Sequence, residues 1–190
     1  MLIINGEPIN NTDLKYFKDN NFEAYYTGFF FIPSFQNGEQ TLLKIIEEIN
    51  ANNLDFIQDL YGTYFIAIKH TNQNKSYVFT DNSGLFKAFI HENIISTSFN
   101  ELIEYSNSKY SINYESLVDF LHFGFVFFDN TLCKEISKLN PNFFYVINPD
   151  NSITKVNKNL SKIDGTPPID PYVFFEHLHE SIKKETFQLI

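Results

Sequence analysis

The sequence contains no arginine, no tryptophan and a single cysteine. All 14 basic residues are lysine, so no guanidinium group is present to hold a carboxylate through two parallel hydrogen bonds. Cys133 cannot form an internal disulfide, which favours a reducing compartment. Because the lysines form no polybasic run and the net charge is -9, nucleic acid and membrane surfaces are poor candidate partners.

A targeting signal is also missing. The segment from Met1 to Pro8 has neither a basic stretch nor an apolar stretch long enough for export or for spanning a membrane, so we expect a cytoplasmic protein. A hydrophobic fraction of 43%, with 22 phenylalanines and 11 tyrosines, indicates a folded chain. A length of 190 residues fits one domain, or one domain and the start of a second.

Apolar periodicity predicts three helices. The first spans the apolar positions from Leu42 to Ile49, the second follows Asn113, whose side chain can cap it, and the third, at 173–182, follows Pro171. Runs rich in β-branched and aromatic residues predict strands at 27–32, 63–68, 76–79, 87–90, 93–96 and 143–147. The short polar turns between them are typical of antiparallel sheets.

The composition changes after Val156. Residues 157–170 contain Asn, Lys, Ser, Gly and the pair Pro167-Pro168, with almost no apolar periodicity, which is typical of a linker. We therefore predict a domain at 1–156, a linker at 157–170 and a helix at 171–190. Because a lone helix of that length is marginal in water, we expect it to belong to a further domain or to dock on another surface.

Three motifs follow one another between residues 60 and 101. Gly62 precedes an aromatic and aliphatic strand, Asp81 and Gly84 form an Asp-x-x-Gly turn, and Ser98 ends a later strand. This order resembles the glutamine amidotransferase domain of the asparagine synthetase family, in which the turn reads Arg-Asp-x-x-Gly and the last strand ends in Ser-Glu. The resemblance identifies a candidate family.

The segment that follows strengthens the resemblance. Residues 112–125 are similar to the family's helix and its glycine-containing loop, and residues 131–146 are similar to its Thr-Leu-Phe-x-x-Ile-x-x-Leu-Pro-Pro-Gly hairpin. Motif order and spacing agree from about Leu60 to Val156. The resemblance implies an α+β fold of the Ntn-hydrolase type, a sandwich of two mainly antiparallel sheets flanked by helices.

A shorter match lies near the start of the chain. Asn5-Gly-Glu, followed by Ile9-Asn, is similar to the family motif Asn-Gly-Glu-Ile-Tyr-Asn, whose asparagine side chain and glycine amide stabilise the oxyanion formed from glutamine. The resemblance therefore implies that Asn5 and Gly6 are substrate-binding residues. From the residues alone, a hairpin turn after Leu2-Ile-Ile fits equally well.

The groups that hydrolyse glutamine in the family have no counterpart here. The family's nucleophile is an N-terminal cysteine whose own α-amine takes the proton, whereas Leu2 follows the initiator methionine. Thr80 and Phe99 stand in place of the motif arginine and glutamate, and Gly38 aligns with the family's substrate-binding aspartate. We therefore predict no catalytic residue in this chain.

The Asn5 match also implies that the family's first strands are missing. Loss of a strand exposes a sheet edge, which must be covered by another segment, by charged side chains or by a partner chain. A homodimer is therefore a candidate assembly.

The resemblance implies a catalytically silent scaffold for an ATP-dependent, amide-forming domain beyond Ile190. The helix at 171–190 resembles the first helix of that domain, whose Ser-Gly-Gly-x-Asp-Ser phosphate loop is absent from this chain. ATP and magnesium are therefore expected for the amide-forming domain, and no cofactor or metal is expected in this chain. Relatives make asparagine, close a β-lactam ring or cyclise a peptide, and the resemblance does not choose among them.

Two other functions remain open. The chain is a glutaminase if Cys133 acts as an atypical nucleophile, although its mid-chain position provides no free amine. It is a stand-alone module if its aromatic surface binds a protein or peptide, although aromatic stripes more often form a core. His177 and Glu180 can share a helix face, but two ligands do not make a zinc site.

Several of these residues also have a simpler structural interpretation. Asp81 and Gly84 fit a turn in which the aspartate binds the following amides and the glycine adopts a positive φ. Cys133 fits a small buried apolar residue, and His122 fits a packed or surface histidine.

Overall fold

The computed structural model describes residues 2–4, 7–10, 14–34, 38–106 and 109–160. The chain divides into two compact units after Asn159, and the elements below belong to the first. The strands are β1 (Leu2–Ile4), β2 (Glu7–Asn10), β3 (Lys15–Lys18), β4 (Phe22–Phe31), β5 (Tyr61–His70), β6 (Lys75–Thr80), β7 (Phe89–His91), β8 (Ile94–Ser96), β9 (Ser137–Lys138), β10 (Phe143–Ile147) and β11 (Ile153–Asn157). The helices are α1 (Gly38–Asn50), α2 (Phe99–Ser106) and α3 (Tyr114–Phe123), and a 3₁₀ helix (Asp55–Asp59) precedes β5.

The strands form two antiparallel sheets. The five-stranded sheet has the order β2-β1-β8-β7-β9, and the six-stranded sheet has the order β11-β10-β6-β5-β4-β3. The predicted α+β class with two mainly antiparallel sheets is therefore confirmed. The longest pairing joins β4 to β5, from Phe22 opposite His70 to Phe31 opposite Tyr61.

The main core lies between the two sheets. Ile3 and Ile95 of the five-stranded sheet pack in one buried cluster with Phe65, Val78 and Tyr145 of the six-stranded sheet. Successive side chains of a strand point to opposite faces, and β5 is buried continuously from residue 64 to residue 68. The six-stranded sheet is therefore covered on both faces at its centre, which explains the unbroken apolar run in the sequence.

Helices cover the outer faces of the sheets. Helix α1 packs on β4 through a buried stripe that repeats at the helical period and includes Leu42, Ile45 and Ile49. Helix α2 packs on β7 and β8, where Leu102 is fully buried beside Ile94. The first unit is thus layered as helix, sheet, sheet and helix.

The structure extends the sequence-based elements. All six predicted strands are present, but β4 begins at Phe22 rather than at residue 27, because Phe22 and Ala24 are buried in the same strand. Helix α1 and helix α3 are confirmed. The sequence analysis did not predict α2, β3, β9 or β11, which are short elements with few buried residues.

The last described residues continue the first unit beyond Val156. Strand β11 ends at Asn157, and the side chain of Lys158 is buried. The predicted helix at 171–190 lies outside the described residues. In the part of the chain that is described, no helix is both long enough and apolar enough to cross a membrane.

Candidate functional site

The predicted substrate-binding residues, Asn5 and Gly6, lie outside the described residues. The strands on either side of them, β1 and β2, pair antiparallel with Ile4 opposite Glu7. The assignment of Asn5 and Gly6 as substrate-binding residues therefore stays a prediction.

The turn from Asp81 to Gly84 has the structure that its residues predict. The fully buried Asp81 carboxylate accepts hydrogen bonds from Ser83 Oγ at 2.5 Å, Leu85 N at 2.9 Å and Phe86 N at 2.7 Å. Gly84 adopts a φ of +68°, and a Cβ there would lie 3.0 Å from the Pro141 ring. The turn interpretation is confirmed, and Asp81 stabilises the loop through its own hydrogen bonds.

A lysine that the sequence analysis missed lies beside this turn. Lys158 Nζ donates to Thr80 O at 2.5 Å and to Asn82 Oδ1 at 3.3 Å, and it lies 5.8 Å from the ring centroids of Phe79 and Phe144. Burial lowers the pKa of Lys158 to about 7, and the Asp81 carboxylate opposes this shift. No pattern in the polar sequence around Lys158 marks it as buried.

Tyr64 places a second polar group in the same core. Its hydroxyl is buried and has no hydrogen-bond partner among the described residues, and burial together with Asp81 raises its pKa. Its ring packs edge-on against Phe30 and Phe79, with centroid distances of 5.8 and 6.2 Å. The Tyr64 hydroxyl is therefore a core group without access to a substrate.

Ser98, which matches the family's strand-end serine, begins helix α2. Its Oγ accepts a hydrogen bond from Glu101 N at 3.3 Å, as an N-terminal helix cap does. Phe99 opens the helix and packs against Phe89 at a ring distance of 5.3 Å. Phe99 therefore has a packing role in this chain.

Cys133 has the surroundings of a packed thiol. It lies against the small core cluster of Ile94, Leu102 and Ile136, and its backbone N donates to Thr131 Oγ1 at 3.1 Å. Burial and the neighbouring Glu135 raise the pKa of the thiol, which lowers its thiolate fraction. These contacts disfavour a nucleophilic role.

No metal site is present among the described residues. No group of three or more His, Cys, Asp or Glu side chains there could hold an ion. His122 lies on the surface of α3, with Nδ1 2.9 Å from Val118 O, and His177 and Glu180 fall outside the described residues.

Helix α3 departs from the usual pattern of a core helix. Its ends are well formed, because Asn113 Oδ1 accepts from Ser116 N at 3.3 Å and Gly124 N, in the left-handed conformation, donates to Phe120 O at 2.9 Å. Its buried residue is nevertheless a serine, Ser116, whose hydroxyl has no partner among the described residues. The helix makes no extensive contact with another described helix or strand.

The apolar side chains of α3 and of the loop behind it are exposed to solvent. On α3 they are Tyr114, Val118, Phe120, Leu121 and Phe123, and beyond it they are Phe125 and Phe128. A contiguous set of large exposed apolar residues is typical of an interaction surface in a folded protein. This surface is the candidate functional site.

The loop from residue 123 to residue 128, here called the phenylalanine loop, is ordered by its own rings. Phe127 lies 5.2 Å from Phe123 and 4.8 Å from Phe125 between ring centroids, both in edge-to-face geometry. Phe128 is 87% exposed and adopts a φ of +54°, which is unusual for a bulky residue. The backbone therefore holds an aromatic side chain out of the protein.

Lys138 fixes this loop to the edge of the five-stranded sheet. Its Nζ donates to Val126 O at 2.8 Å and to Phe128 O at 3.1 Å, and its backbone N donates to Asp129 O at 2.7 Å. Burial and the nearby Lys87 lower the pKa of Lys138. We call these three hydrogen bonds of Lys138 the Lys138 clamp. Because the clamp fixes the loop backbone, the phenylalanine rings are positioned before any partner binds.

The sequence analysis named the aromatic surface without locating it. The motif at 112–125 marked α3 and its glycine loop, but the rings were expected to be mostly in the core.

No known protein family matches this chain, and no curated protein is significantly similar to it in sequence.

Proposed function

We propose that this chain is a catalytically silent, glutaminase-like domain that binds an ATP-dependent, amide-forming domain through the phenylalanine loop. The observation that carries the proposal is the exposed loop, in which Phe128 has a positive φ and its carbonyl accepts a hydrogen bond from Lys138. Aromatic side chains presented in this way are typical anchors of protein interfaces.

The fold and the motif residues support the family assignment within this proposal. Two antiparallel sheets lie between helical layers, as expected for an Ntn-hydrolase-like sandwich. The sequence of the Asp81 turn resembles the family's Arg-Asp-x-x-Gly motif, with Thr80 in place of the arginine. The buried Lys158 amine donates to the Thr80 carbonyl and so places a basic group beside this turn, where the family motif has an arginine.

Catalytic silence is supported by the chemistry of the chain. The sequence has no arginine to grip the glutamine carboxylate and no cysteine at its second position. Purified protein incubated with glutamine is expected to release no ammonia above the buffer rate. Ammonia release that disappears in the Cys133→Ala variant would replace this proposal with an atypical glutaminase.

The binding experiment mixes the purified chain with the amide-forming domain encoded in the same or the adjoining reading frame. We expect the two proteins to co-elute, and Phe128→Asn to weaken binding at least about tenfold, because it removes an anchor ring. Asn tolerates a positive φ, so this variant keeps the loop backbone. Leu85→Asn changes another exposed loop residue, 68% exposed, and is expected to bind like the wild type.

Two results would contradict the proposal. One is the absence of any amide-forming, asparagine-synthetase-like reading frame beside this one. The other is a complex that is unaffected by Phe128→Asn. In either case the same exposed surface would favour the second candidate, a stand-alone module that binds a protein or peptide.

A further inference from the structure

Helix α3 carries a second apolar surface that the phenylalanine loop does not use. Tyr114, Val118 and Leu121 are 68%, 53% and 72% exposed. Their spacing of four and three residues places them on one helix face, opposite the buried Ser116. We call these three residues the outer stripe. Phe123, which contacts the rings of the phenylalanine loop, lies on the Ser116 side of the helix.

Charged and titratable groups flank the outer stripe on one side. Glu115 lies in the first turn of α3 and His122 lies in the last turn. At 100° per residue, both project from the same flank of the stripe. His122 Nδ1 lies 2.9 Å from Val118 O, so its Nε2 remains available to a second partner.

We propose that the outer stripe pairs antiparallel with the same stripe of a second copy of this chain. A two-fold axis near Val118 brings Tyr114 of one copy to Leu121 of the other and Val118 to its own counterpart. The same operation places Glu115 beside His122 at both ends of the contact. The apolar groups and the flanking charges are therefore self-complementary in one symmetric arrangement.

The antiparallel orientation has two further physical supports. The N-terminal end of each helix, with positive partial charge, lies beside the C-terminal end of the other. With Nδ1 bonded to the backbone, Nε2 of the His122 ring is the nitrogen that faces the carboxylate of the second copy. A parallel two-fold pairing would instead place the Glu115 and His122 flanks of the two copies on opposite sides of the contact, where neither group faces the other.

Neighbouring residues enlarge the contact at one end. Ile112 and Leu132 are exposed beside the start of α3, where Asn113 N donates to Leu132 O at 2.9 Å. They extend the outer stripe, because a single pair of three-turn helices buries less area than a stable interface needs. This dimer is independent of the amide-forming partner, which binds the phenylalanine loop.

Sedimentation velocity of the full 190-residue chain over a range of concentrations tests the proposal. We expect a reversible dimer in the wild type and a dissociation constant at least about 30-fold higher for Leu121→Asp, because a carboxylate would enter an apolar contact. Leu43→Asp is the matched control. Leu43 is also an exposed leucine on a helix, and its variant is expected to dimerise within about twofold of the wild type.

Charge exchange tests the predicted orientation. His122→Glu alone places two carboxylates together, and Glu115→Lys alone removes the carboxylate that faces His122, so both are expected to weaken the dimer. The double variant places Lys beside Glu at both ends and is expected to recover most of the affinity. Circular dichroism of each variant checks that α3 remains folded, since both changes oppose the helix dipole.

Three results would overturn the proposal. A wild-type chain that is monomeric at several hundred micromolar would exclude this contact as a working interface. A dimer that persists in Leu121→Asp would place the contact elsewhere, for example at the exposed edge strand β3. A double charge variant weaker than both single variants would exclude the antiparallel arrangement.

Discussion

Helices α1 and α3 contain similar numbers of large apolar residues, five and six, but use them differently. Helix α1 buries Leu42, Ile45, Ile46 and Ile49 against the six-stranded sheet. Helix α3 buries Ser116, leaves Leu117 half-buried and exposes its tyrosine, its valine, Leu121 and its two phenylalanines. The apolar residues of α1 therefore stabilise the fold, and the exposure of those of α3 supports the proposal that they bind a partner.

The largest expected difference in stability between the two helices comes from truncating one apolar side chain in each. Ile45→Ala should lower the free energy of unfolding by about 3 kcal/mol, because it opens a cavity at a fully buried position. Val118→Ala should lower it by less than about 0.5 kcal/mol, since Val118 is exposed. Urea unfolding of dilute protein measures both. Equal losses would contradict the assignment of α3 to binding.

The buried amine of Lys158 predicts how the free energy of unfolding depends on pH. The folded pKa of Lys158 is lowered from 10.5 to about 7, so between these values the folded state binds fewer protons than the unfolded state. The free energy of unfolding should therefore rise between pH 7 and pH 9.5, by about 3 kcal/mol.

Lys158→Met provides the matched test, because methionine fills similar space without an ionisable amine. The rise in stability above pH 7 should flatten in this variant. Urea unfolding at pH 6.5, 8 and 9.5 measures the slope. An unchanged slope in Lys158→Met would mean that Lys158 is not the group responsible.

A smaller effect concerns the cap of α3. Asn113→Ala removes the acceptor for Ser116 N and should cost about 1 kcal/mol. Because α3 is not packed extensively on other described elements, the loss should be local. Amide hydrogen exchange should quicken about fivefold in α3 and stay unchanged in β5. Equal acceleration in both elements would show that α3 folds together with the core.

The smallest expected effect on stability concerns the phenylalanine loop. Phe128→Asn should change the free energy of unfolding by less than about 0.5 kcal/mol, because the ring is exposed and Asn suits the positive φ. Thermal unfolding measures this change. A large loss would mean that the Phe128 ring supports the fold.

Much of helix α1, the two sheets and the Asp81 turn could be predicted from the sequence. The apolar period of α1, the β-branched runs of the sheets and the Asp81 turn are local patterns with local causes. The cap at Asn113 was predicted for the same reason. Short edge strands such as β3 were missed, because few of their side chains are buried.

The candidate site was harder to predict. It consists of apolar side chains that no other described element covers, and this exposure cannot be read from the sequence. The period of α3 is that of an amphipathic helix, and periodicity cannot distinguish a helix face on the core from one in solvent. The Lys138 clamp and the burial of Lys158 join residues that are distant in sequence. Such contacts leave no signal in local composition.

The most direct test of the binding role compares stability and association in one variant. In Leu121→Asp/Phe128→Asn, measured at a concentration where the wild type is monomeric, the free energy of unfolding should stay within about 0.5 kcal/mol of the wild-type value. At higher concentration the same variant should fail to associate. A loss of more than about 2 kcal/mol in the dilute protein would contradict the binding role, because it would show that these side chains belong to the fold.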